Sequence, residues 1–140
     1  MRLLNFKVRD DFISVEKDNV YFDLHNNFDF AGFNYNVAEK DFQLIFTKSS
    51  ADWAANEAFN KLIFLFRKVV FLKIKENDSS LWTDDESCLS DIGFSATDMR
   101  EDMKLFLASN EFQPDYDMIF IFRSGQVIKI HSSEVLLEVK

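Results

Sequence analysis

Cysteine is nearly absent from this chain: Cys88 stands alone, so no disulfide can form within it and no oxidising compartment is implied. Histidine is almost as scarce. His25 and His131 are the only two, and apart from Asp23 beside His25 neither has a second metal ligand at helical or strand spacing. A zinc or hydrolytic centre needs several such groups at recognisable intervals, so neither a metal site nor a cofactor is expected. The serines, among them Ser79, Ser80, Ser87, Ser90, Ser132 and Ser133, sit in no nucleophile-elbow pattern. Cys88 lies in DESCLSD, where acidic neighbours disfavour the thiolate a nucleophile requires.

Long apolar runs are missing too. The N-terminus MRLLNFKVRDDF lacks the apolar stretch of about 7 to 15 residues found in a signal peptide. No segment is long enough for a membrane span, so a cytoplasmic location without membrane contact is expected. Three glycines and one proline leave few punctuation marks. What fills the chain instead is phenylalanine, 17 of them, which reads as a thick aromatic core within one domain spanning residues 1–140.

The firmest local reading is the stretch Tyr116 to His131. Residues 117–123 and 127–130 are rich in aromatic and β-branched types, and Ser124-Gly125 falls where a two-residue hairpin turn belongs. That turn sets Phe122 opposite Val127 and Ile121 opposite Ile128. Ile119, Ile121, Ile128 and Ile130 then share a core face. Met118, Phe120, Phe122 and Val127 share the other with Lys129 and His131, and need a partial cover.

Upstream, residues 6–9 and 12–15 alternate about an Asp10-Asp11 turn, and residues 19–47 read as a three-stranded meander. In FDFAGFNYN the aromatics change parity between Phe30 and Phe33, which a β-bulge at Ala31-Gly32 reconciles. Ser50 suits a helix cap, giving a short helix near 51–58. Residues 61–75 fit either a helix or a strand; their Phe, Ile and Val content favours strand, bent near Arg67-Lys68, with Val70, Leu72 and Ile74 facing inward. Ser95 and Asp98 have capping-box spacing ahead of Met99, Met103, Phe106 and Leu107, predicting the main helix at about 97–109 as cover for Phe120 and Phe122. Residues 134–139 read as an edge strand. The expected fold is α+β, a mostly antiparallel sheet of about seven to nine strands with these two helices.

Charge is uneven. The net value of −8 conceals a basic stretch, residues 58–75, with five cations and no acids, and an acidic one, residues 76–117, with twelve acids and two cations. An acidic chain repels phosphate backbones, so nucleic acid is not an expected partner, whereas a basic protein is. Glu76 to Ser90 is a long polar loop, and such loops are often functional. Within it Trp82, Asp84, Asp85 and Glu86 form the candidate binding site, an aromatic anchor beside carboxylates. The carboxylates lack the alternation and central glycine of a calcium loop. The expectation is a non-catalytic interaction protein, in one form an inhibitor or immunity-type protein masking a basic enzyme. The alternatives are a ligand-binding domain or enzyme with an aromatic-lined pocket bearing His131 and Arg123, and a subunit self-associating through edge strand 134–139.

Overall fold

A computed structural model describes residues 1–77, 85, 87–103 and 109–140. Ten strands are formed among them: β1 (Arg2–Leu3), β2 (Lys7–Val8), β3 (Ser14–Lys17), β4 (Val20–Asp23), β5 (Phe28–Asn36), β6 (Asp41–Lys48), β7 (Lys61–Lys75), β8 (Leu89–Ser95), β9 (Asp117–Phe122) and β10 (Val127–Val139). The main sheet runs β5-β6-β7-β10-β9-β8 with antiparallel neighbours, and β1 joins β10 in parallel. A second sheet, β2-β3-β4, packs Val15 and Phe22 into the same core.

The main sheet curls until its two ends meet. The Phe30 amide of β5 donates to the Ser87 carbonyl just before β8, at 2.7 Å. The rings of Phe30 and Phe122 lie 4.6 Å apart. Phe46, Phe64, Phe66 and Phe120 interlock across the enclosed side with centroids 5.4 to 6.5 Å apart, mostly edge to face. All four are fully buried. That geometry suits aromatic quadrupoles and adds roughly 0.5–1.5 kcal/mol per pair beyond area burial.

Among the described residues neither expected helix forms and no helix reaches seven residues; the structure is nearly all β, which corrects the α+β assignment. One turn of 3-10 helix, Asp52–Ala54, stands where the 51–58 helix was expected. The Lys48 ammonium takes the Ala55 and Glu57 carbonyls, and a Lys48–Asn60 backbone bond closes the excursion. Another single turn, Thr97–Met99, opens the predicted 97–109 helix. Ser95 is a strand residue rather than a cap, and the buried Lys129 ammonium accepts no continuation: it donates to the Met99 and Asp102 carbonyls, which a helix would have needed for its own amides. Residues 104–108 of that prediction lie outside the described residues, and Ser109 bridges back to Phe94.

The β9–β10 hairpin forms, one residue out of the expected register. Val127 pairs with Ile121 and Ile128 with Phe120. The loop has three residues, Arg123–Ser124–Gly125. Phe122 and Gln126 close it through the Phe122 amide at 2.9 Å, and Gly125 sits at φ 89°. Glycine thus serves the left-handed third position of a bulged loop rather than a two-residue turn. A one-residue slip exchanges faces between strands. Met118, Phe120, Phe122, Ile128 and Ile130 therefore line the main core, while Ile119, Ile121 and Val127 form a small second cluster with Met103.

The bulge in β5 is present, with the register stepping between Phe30 and Gly32 and Gly32 at φ 133°. Phe28, Phe30, Phe33 and Tyr35 thereby oppose residues of one β6 face. The meander over 19–47 is corrected, because β4 pairs with β3 in the second sheet and only β5 and β6 pair as expected. Strand β7 spans the whole ambiguous stretch and bends at Lys68, φ 54°. The bend changes which side chains point in: Val69 is buried and Val70 is 75% exposed, whereas Leu72 and Ile74 pack on the core as expected. Residues 134–139 are internal rather than an edge. They pair with β7 on one side, and β1, the Leu4 amide and the Asn5 side chain occupy the other. That removes the proposed route of self-association through this strand.

Candidate functional site

Three places gather polar chemistry. The first is a buried charge cluster at the start of β9. Asp117 is fully buried and accepts two 2.8 Å bonds from Arg100, through Nε and Nη2. His131 Nδ1 lies 3.1 Å from Asp117 Oδ1 and 3.1 Å from the Tyr116 carbonyl. Since both neighbours of that nitrogen are acceptors, it carries the proton, and Nε2 faces the Met1 amine at 3.5 Å. The amine itself donates to the Pro114 carbonyl at 2.6 Å. Arg100 also lies 4.3 Å over the Phe71 ring, and its carboxylate partner holds its pKa above the ordinary guanidinium value. Burial pushes the neighbouring Lys129 ammonium below the ordinary lysine value, with Asp102 and Asp117 opposing that shift.

An aspartate orienting an imidazole is a familiar half of a catalytic triad. Here Nε2 addresses an amine in place of a hydroxyl or thiol nucleophile. The cluster ties the chain termini of three segments to the sheet: Met1, the turn at 97–103, and the β9–β10 hairpin. Sequence inspection missed it because Arg100, Asp117 and His131 come from three separate elements. The one available signal was Asp117 and Lys129 flanking and interrupting the apolar runs 118–122 and 127–130.

The second place is Cys88. Its sulfur lies 3.6 Å from His25 Nδ1, but that nitrogen is 2.6 Å from the Leu89 carbonyl and must donate there. No thiolate–imidazolium pair results. Burial first, and Asp85 second, raise the thiol pKa above its ordinary 9.0. His25 lies in a turn, where its amide and that of Asn26 both donate to Asp23 Oδ1.

The third is the seam where the sheet ends meet, a cleft of about 290 Å³ lined by Phe30, Ala31, Gly32, Ser87 and Gln126. It stands at the small end of ligand pockets, which run roughly 300–1,000 Å³. Of the four residues assigned to binding, Asp85 is exposed and accepts from the Ser87 hydroxyl at 2.8 Å, next to this cleft. Trp82, Asp84 and Glu86 lie outside the described residues.

Elsewhere two cations of the basic stretch pair with the protein's own acids: Lys73 bonds Glu101 at 2.8 Å and Arg67 reaches Glu134 at 3.4 Å. Among the described residues no group of three or more His, Cys, Asp or Glu is placed to hold a metal ion, and no helix is long and apolar enough to cross a membrane. Comparison of the chain with protein-family models, with curated proteins and with solved structures finds no match.

Proposed function

We propose that this is a non-catalytic interaction domain that binds a basic protein through its acidic surface, in the manner of an inhibitor or immunity-type protein. The observation that carries the reading is where the acids of 76–117 point. Glu76, Asp85, Asp98, Glu101, Glu111 and Asp115 are all exposed. The segments leading out of β8 and into β9 also expose Met99 and Phe112, which can serve as apolar anchors among those carboxylates. Cationic partners are steered to such a surface, and the association is salt-dependent.

The internal use of Asp117, His131 and Lys129 supports the same reading, because their hydrogen-bonding capacity is directed at the fold. The phenylalanines that fill the enclosed side of the sheet do so as well. The test is capture of a partner from the native source by wild type and by a variant with Asp84, Asp85 and Glu86 neutralised. Retention of the partner by the neutralised variant removes the acidic loop from the proposal; a partner without basic character removes the proposal itself.

A further inference from the structure

The two ends of the main sheet are finished differently. The outer edge of β8 is covered: the Ile92 amide donates to the Phe12 carbonyl, and Phe94 exchanges both backbone bonds with Ser109. Among the described residues, the outer edge of β5 is covered only at Phe30, by the Ser87 carbonyl. Beyond the bulge, residues 33–36 are exposed and pair with β6 alone among the described strands. Edge strands are normally guarded by lysine, proline, inward charges or bulges. From Phe30 to Val37 the sequence is FAGFNYNV, with no charge and no proline, and the bulge lies at its beginning. Phe33 and Tyr35 are 43% and 44% exposed, each resting against Phe42 at 5.2 and 6.2 Å.

We propose that this edge, residues 32–36 of β5, pairs antiparallel with the same edge of a second copy about a two-fold axis. With the axis at Asn34, Phe33 of each copy opposes Tyr35 of the other, an aromatic cross-strand pair made twice. Charge favours this occupant over a basic segment. The strand holds no carboxylate that a cationic strand could use, and like pairing with like opposes no two charges along it. Asp29 and Asp85, at the bulge end, fall at opposite extremities of the dimer, each toward the other copy's turn with Lys40 beside Glu39. A contact of this extent belongs to the small, transient class, so the association is concentration-dependent. The inference is independent of the partner proposed above, whose capture is read at concentrations where the protein is monomeric.

Sedimentation velocity on the full chain, from micromolar to near-millimolar concentration, tests it. Wild type moves from monomer to dimer, and Asn34→Lys, an exposed change that opposes lysine to lysine at the axis, weakens association several-fold, up to about five-fold. Amide exchange on wild type gives a second reading that needs no variant: protection within 32–36 increases with concentration. A wild type that stays monomeric throughout, or an Asn34→Lys protein that dimerises as wild type does, overturns the proposal. So does protection of 32–36 that ignores concentration.

Discussion

Replacing Arg100 by Met should destabilise the protein far more than the loss of one partly exposed cation suggests. Asp117 is fully buried, and the substitution removes both of its 2.8 Å donors while leaving the carboxylate, among the described residues, with His131 as its remaining side-chain donor. Breaking a buried ion pair from one side costs about 3–5 kcal/mol, because the remaining charge stays desolvated. The reverse change, Asp117→Leu, leaves a guanidinium whose side chain is 30% exposed and can turn to water. Its cost should be smaller, about 1–3 kcal/mol. In the double variant neither charge is stranded, and stability should recover to near that of wild type or beyond it, as apolar replacements of buried pairs often do. Urea unfolding of all four proteins, with the slope checked for constancy, gives the cycle directly. The expected coupling is at least about 2 kcal/mol. Additive single effects would show that Asp117 does not depend on Arg100 and refute the reasoning.

Other consequences are simpler. Phe120→Ala should cost about 3–5 kcal/mol in the same assay, since the ring is fully buried against Phe46, Phe64 and Phe66. Asp11 is partly desolvated, which raises its pKa, but amide bonds from Ile13 and Ser14 outweigh that and hold it below the ordinary 3.8. Its stabilisation is present above the unfolded value of about 3.9 and lost as pH falls through the folded value. Asp11→Asn, which keeps an acceptor oxygen, should therefore lose a little stability at neutral pH and converge on wild type in acid titrations. Cys88, buried and raised in pKa, should resist alkylation at pH 7.5 until urea unfolds the chain; rapid labelling of the native protein would contradict the assigned burial.

Much of the sheet was legible because strand periodicity is local. The parity change in FDFAGFNYN located the bulge, and the β-branched content of 61–75 outweighed its helical spacing. The failures share a cause that is not local. Lys129 takes the Met99 and Asp102 carbonyls that the predicted 97–109 helix would have used, and that competition is not visible within the helical window itself. The hairpin was found but its faces were exchanged, because Ser-Gly permits either a two-residue turn or the end of a three-residue one, and one residue decides which side each isoleucine faces. The strand 134–139 looked like an edge because its cover, β1 with Asn5, comes from the opposite end of the chain. Of the candidate site, Asp85 is exposed, and the charge cluster around Asp117 escaped because its members are spread from Met1 through Arg100 to His131.

The claim that function resides on the acidic surface and not in the buried cluster is tested most directly by measuring partner binding in two variants side by side. One neutralises Asp84, Asp85 and Glu86, and the other is the Arg100→Met, Asp117→Leu double variant. Binding that is lost in the first, retained in the second and weakened by salt in wild type is the predicted result. Binding that survives the surface changes and disappears with the buried pair would contradict the account.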